Sequence, residues 1–263
     1  SVTAVNSAAP TCGGGSWAIS SSTASGSQAS VTYTTVAADS ATQAWFAFVC
    51  DNDASSLCSS SSQGSGNNGS PFYVNTAPTI STGPSDGGSY SGAPTAVGSN
   101  VTFTATATDT ESDNYYLAIC KTNSVTAVNS AAPTCGGGSW AISSATTAGS
   151  QASVTYTTSA SDAGSNAWFA FVCDNSATSI CSSSSQGSGN NGSPFYVNTA
   201  PTISAGPSDG GSSLAFPTTV GNNVTFTATA TDTESDNYYL AICKTNSVTA
   251  VNSAAPTCGG GSW

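Results

Sequence analysis

The sequence contains no histidine, no methionine and no arginine, and its only lysines are Lys121 and Lys244. Charged residues make up 6% of the chain, nearly all of them acidic, and the formal net charge is −11. Nucleic-acid affinity rests largely on Lys and Arg neutralising phosphates, so no nucleic acid is expected as a partner, nor an anionic membrane surface. No apolar run approaches the roughly 20 residues a membrane helix needs, so no membrane span is expected in this segment. Without histidine the usual general base is missing, and abundant Ser and Thr without a base partner give no nucleophile. The expectation is a protein that is not an enzyme and requires no cofactor. The glycine run at 136–138 precedes no helix and offers no phosphate cradle.

What the chain does contain is Ser, Thr, Gly, Ala and Asn arranged in a repeat. The segment SVTAVNSAAPTCGGGSW begins at Ser1, at Ser124 and at Ser247, a period of 123 residues. Residues 100–140 recur letter for letter as 223–263. Trp45 and Trp168, Cys50 and Cys173, Asn75 and Asn198 obey the same shift. Such a unit exceeds the roughly 20–50 residues of a solenoid repeat and has the size of a domain with its own core. The Ser, Thr and Gly richness would suit a disordered stalk, but Trp, Tyr, Phe and Val return in alternating blocks at fixed phase.

Asn-Thr-Ala-Pro at 75–78 and again at 198–201 marks the boundary, with a proline that favours extended backbone before it. The chain then divides into the C-terminal part of a unit (1–74), a complete unit (75–197) and the N-terminal part of another (198–263). Because residue 1 falls inside a unit, the lack of a visible signal peptide says little. Within the complete unit, VTFTATAT at 101–108 alternates apolar and Thr with a period of two, the mark of a half-buried strand. Val101, Phe103, Ala105 and Ala107 share one face. The turn DTESDN at 109–114, the apolar run YYLAIC, then SWAIS, ASVTYTT, AWFAFV and PFYV follow, with Thr79–Ser81 opening the unit. These are about seven short strands with no helical periodicity. The prediction is all-β, a tandem immunoglobulin-like Greek-key β-sandwich.

The strand NVTFTATATD, the acidic turn and YYLAIC resemble the early strands of PKD, cadherin-like and other bacterial immunoglobulin-like domains. The whole repeat resembles tandem modules of very large bacterial surface or filament proteins. That resemblance implies a stalk, adhesin or filament component at the cell surface, with further copies of the same repeat as partners, end to end and laterally.

Nine cysteines fall four to a complete unit. A thiol-rich, Lys-poor, Ser/Thr-rich chain fits an oxidising, extracellular setting, and the spacings match no zinc pattern. Cys120 ends the third strand and Cys173 the sixth. In the expected sandwich these antiparallel neighbours end at opposite poles, too far apart for the roughly 7 Å between Cα atoms that a disulfide tolerates. Local pairs remain: Cys120 with Cys135, Cys173 with Cys181, and correspondingly Cys50 with Cys58 and Cys243 with Cys258. Cys12 is left unpaired, its expected partner lying upstream of Ser1. The two ends admit two accounts: a window on a longer repeating polymer, or subunits that complete each other end to end. The seventeen duplicated residues favour the window, since one copy would have no place to pack.

Asp109, Glu111 and Asp113, with their copies Asp232, Glu234 and Asp236, form an acidic turn. Its bland reading is a solvated turn. Its sharper one is a calcium site at the pole facing the preceding unit, near Asn75, Asp174 and Asn175. The sequons at Asn68, Asn100, Asn191 and Asn223 are candidate glycosylation sites, and the threonine-covered strand faces are candidate O-glycan carriers. Tyr115, Tyr116, Trp140 and Trp168 are candidates for a sugar-binding patch, with burial in the core as the competing assignment. The function expected is a structural fibre of disulfide-stapled units. The alternative is an adhesin module binding a glycan or protein on a host surface.

Overall fold

The structure is a computed structural model and describes residues 1–67, 69–189 and 192–263. Among these, regular structure is β apart from two 3-10 turns at Ala37–Asp39 and Ala160–Asp162. Strand β1 (Val2–Thr3) pairs antiparallel with β2 (Thr11–Cys12), and β3 (Ala41–Gln43) with β4 (Phe72–Val74). Then come β5 (Thr79–Ser85), β6 (Thr95–Ala96), β7 (Asn100–Thr108), β8 (Tyr115–Cys120), β9 (Val125–Val128) and β10 (Ala131–Cys135). They are followed by β11 (Ser139–Ile142), β12 (Gln151–Thr157), β13 (Gly164–Asn166), β14 (Phe169–Asp174) and β15 (Phe195–Asn198). The last strands are β16 (Thr202–Ser208), β17 (Thr227–Thr231), β18 (Val248–Val251) and β19 (Ala254–Cys258).

Apart from β9 and β10, the strands β5 to β15 build three three-stranded sheets, in the orders β12-β7-β5, β11-β8-β14 and β13-β15-β6. Strand β6 runs parallel to β15, while β13 is antiparallel to it. The loop expected between the third and fourth strands instead carries the antiparallel hairpin β9–β10. Period-two alternation decides which side of β7 is covered: Val101, Phe103, Ala105 and Ala107 are all buried, with the threonines on the other face.

Contacts divide the chain into two compact units. The first comprises Ser1–Gly83, Ala105–Ala152 and Ala170–Ser185. Its core is β8, in which Tyr115, Leu117, Ala118, Ile119 and Cys120 are all buried. A central strand covered on both faces reads as a continuous apolar run, as YYLAIC does. The buried Tyr115 hydroxyl donates to the Ser150 carbonyl at 2.6 Å and accepts from the N–H groups of Ala107 and Ala152, both at 3.2 Å. A polar atom so placed costs little, because every bond it would make to water is replaced.

The second unit comprises Pro84–Thr104, Ser153–Phe169 and Gln186–Trp263. Here Phe103 lies edge-on to Trp168 at 5.3 Å and to Phe195 at 5.9 Å between ring centroids. The indole of Trp168 donates to the Ser193 carbonyl at 3.2 Å, and its backbone N–H donates to Ser188 Oγ at 2.6 Å. Gly187 must be glycine: its φ is +96°, and a Cβ there would stand 2.5 Å from the Trp168 ring. The Ser/Gly loop therefore lies directly on the largest core residue.

Residues 223–263 repeat 100–140 letter for letter but form less structure. The copy of β7 shortens to β17, and the copy of β8 at 238–243 forms no strand. The local hairpin survives, as β18–β19.

Candidate functional site

The acidic turn and the Asn-Thr-Ala-Pro linker meet in the first compact unit. Glu111 Oε2 accepts from the Thr76 N–H at 3.1 Å and from Thr76 Oγ1 at 2.8 Å. Its other oxygen, Oε1, accepts from the Ala41 N–H at 2.9 Å. One carboxylate thus ties together the linker, the turn after β7 and a strand of residues 1–74. Ala41 makes this bond from a left-handed backbone, φ 65°, where glycine would be the unstrained residue.

A second tie runs beside it. The Asn75 amide Nδ2 donates to Asp174 Oδ2 at 3.0 Å, to Ser176 Oγ at 3.1 Å and to the Thr178 carbonyl at 3.0 Å. Asp174 is fully buried and accepts also from the N–H groups of Ser176 and Ile180, at 3.1 and 2.9 Å. A buried carboxylate survives only with such a ring of donors. The next residue, Asn175, donates its N–H to the Asn114 carbonyl at 2.7 Å, which brings the acidic turn against the end of β14.

Within the turn, Asp109 Oδ1 accepts from the N–H groups of Glu111 and Asp113, at 2.9 and 3.1 Å, a side chain organising its own loop. Burial and the neighbouring Glu111 and Asp113 raise the Asp109 pKa, against those two backbone bonds, which lower it. Burial, then Asp174 and Glu111, raise that of Asp113. Asp232, Glu234 and Asp236 repeat the arrangement: Asp232 Oδ1 accepts at 2.9 and 3.1 Å, and Glu234 Oε2 accepts from Thr199 Oγ1 at 2.8 Å. The difference is at Glu234 Oε1, which is buried without a hydrogen-bond partner where Glu111 Oε1 holds Ala41.

No family model, no curated protein and no solved structure matches the chain. The geometry of this joint therefore has to speak for itself. Among the described residues, no three His, Cys, Asp or Glu side chains gather as a metal site. The buried oxygens left without partners here are Asn75 Oδ1, Asp109 Oδ2 and Asn175 Oδ1. They are all hard oxygen donors, the type calcium takes.

Four disulfides close local loops: Cys50–Cys58, Cys120–Cys135, Cys173–Cys181 and Cys243–Cys258. Cys12 is a free thiol. Of the candidate glycosylation sites, Asn100 and Asn223 are exposed, whereas Asn68 and Asn191 lie outside the described residues. The four aromatic candidates form no common patch. Tyr115 and Trp168 are core, and Trp140 stacks under the Lys121 ammonium at 4.3 Å. Sequence reasoning placed the acidic turn beside Asn75 and Asp174 but missed Ala41 and Ser176, which act through backbone or a small hydroxyl and carry no compositional signal.

Proposed function

We propose that the chain is part of an extracellular structural array of immunoglobulin-like Greek-key sandwiches with a period of 123 residues, spacing something away from a cell surface or forming a filament. The observation that carries this reading is the Glu111 joint: a short linker clamped by one carboxylate to both neighbours, with the linker half of the clamp repeated 123 residues on at Thr199 and Glu234. Two three-stranded sheets that bury apolar side chains, β11-β8-β14 and β12-β7-β5, support the sandwich assignment, and four loop-closing disulfides suit an oxidising, extracellular compartment. Among the described residues, no helix is long and apolar enough to cross a membrane. The resemblance to PKD and cadherin-like bacterial modules agrees with a stalk or filament, and near-identical units suit a spacer better than a recognition array.

Small-angle scattering or electron microscopy of chains carrying several units tests this. A thin, extended rod with one axial repeat per unit is expected, and compact globules would overturn the reading. The turn enters as a cation seat in the same test. Millimolar calcium is expected to raise the Tm, and to do so less in the Asp109→Asn chain. An unchanged Tm would leave the joint held by hydrogen bonds alone.

A further inference from the structure

One strand of the complete unit has an edge that nothing guards. A sheet edge is a template for a further strand, and proteins blunt it by shortness, by proline, by charge or by a cover. Among the edge strands of residues 75–197, β6, β9, β11 and β13 have two to four residues. Strands β5 and β10 carry Pro84 and Pro133. The outer side of β14 is covered: the Ser182 N–H donates to the Val172 carbonyl at 2.8 Å, and the Asp174 N–H to the Ile180 carbonyl at 3.0 Å. Among the described residues, β12 alone combines seven residues, QASVTYT, with none of these devices.

We propose that β12 is where two chains join side by side, its edge pairing antiparallel with β12 of a second copy about a two-fold axis. The inference rests on the reading of the chain as an array of like units and names the surface by which arrays associate. The backbone shows which groups are available. The Thr158 N–H donates to the Ser99 carbonyl at 2.9 Å, and the Thr158 carbonyl accepts from the Gly98 N–H at 3.0 Å, so both point to the β7 side. Direction alternates along a strand, which turns the N–H and C=O groups of Ser153, Thr155 and Thr157 outward. With Thr155 opposite Thr155 of the second copy, Ser153 falls opposite Thr157, and these residues exchange about six hydrogen bonds. The side chains match too. The exposed Ser153, Thr155 and Thr157 meet hydroxyls of their own kind, and on the other face the half-buried Val154 meets Tyr156.

Charge favours a like partner at this place. The chain carries −11, so copies repel wherever their acids face one another. Strand β12 lies in the longest stretch without Asp or Glu, between Asp113 and Asp162. Asp162 itself is buried, its carboxylate accepting from the Tyr156 hydroxyl at 2.8 Å. QASVTYT returns letter for letter at 28–34, so arrays in register at one unit are in register at the next, and each contact raises the effective concentration of its neighbour.

Sedimentation velocity of the 263-residue chain over a wide concentration range tests the proposal. The wild-type chain is expected to dimerise reversibly. Thr155→Glu and Thr155→Lys each place like charges face to face at the two-fold axis, and each is expected to raise the dissociation constant about tenfold or more. Mixed in equal amounts, these two variants should dimerise again, because opposite charges then meet. Thr82→Glu, an exposed site on β5, adds the same charge away from the edge and should associate as wild type does. Near-ultraviolet circular dichroism should report the same fold throughout. A wild-type chain monomeric at every concentration, a mixture that stays monomeric, or equal losses from Thr155→Glu and Thr82→Glu would each overturn the inference. So would a monomeric chain that binds a synthetic QASVTYT peptide, since the edge would then take a strand but not a second copy. All of these results leave the structural-array reading standing so long as multi-unit chains still scatter as rods.

Discussion

At the scale of single residues, a few short side chains hold this molecule's joint. Glu111 replaces water for three donors at once, and the bonds are charge-assisted. Glu111→Gln removes the charge and one acceptor oxygen, leaving Ala41 or Thr76 with an unmatched N–H. The expected loss is about 1–3 kcal/mol, measured by denaturant unfolding. Ala41→Gly has the opposite expected sign. Its φ of 65° strains alanine but not glycine, so stability should rise by about 1 kcal/mol with the Glu111 bond kept. A destabilised glycine variant would mean that the left-handed backbone at this position is not what limits the joint.

Among the elements, the acidic turn at 109–114 carries a pH dependence. Burial and neighbouring carboxylates raise the pKa values of Asp109 and Asp113 above 3.8, so the folded chain binds these protons more tightly than the unfolded one. Their contribution to stability is then fully present below 3.8 and is lost as pH rises through the higher folded values. At neutral pH an ionised Asp113 works against the fold. Asp113→Asn is expected to melt higher than wild type at neutral pH, by a few degrees at most because the site is largely solvated. The gap should close as the pH approaches 3.8, and a gap that widens on acidification would contradict the sign. The hairpin β9–β10 shows the opposite kind of element. Its copy β18–β19 forms without the surroundings of the first, because the turn and the flanking disulfide are local.

For the whole molecule, the scarcity of cations and the placing of disulfides combine. Lys121 and Lys244 are exposed, and each lies just inside a closed loop, Cys120–Cys135 or Cys243–Cys258. Trypsin can cut after both, yet the pieces stay linked. Without reductant the digested chain is expected to run at full mass. With reductant it should separate into 1–121, 122–244 and 245–263. Fragments released without reductant would contradict these pairings. The same bonds restrict the unfolded chain, by about 3 kcal/mol for the fifteen-residue loops and about 2.5 for the eight-residue ones on the loop-entropy account.

The repeat, the all-β class, the covered face of β7 and the loop-closing reach of the cysteines were legible in the sequence. Each depends on spacing along the chain: a period of two for a strand face, and eight or fifteen residues for a disulfide loop. The letters YYLAIC, by contrast, did not determine their own structure. At 115–120 they form a buried central strand, and at 238–243 no strand at all, because a strand's hydrogen bonds are made to other segments, here β11 and β14. Glu111 and Glu234 teach the same lesson for the joint. Both sit in TESDN and both hold a threonine of the linker, but only Glu111 meets the N–H of a preceding strand. Which distant backbone reaches a carboxylate is decided by packing, and packing is a property of the assembled chain rather than of any stretch of it.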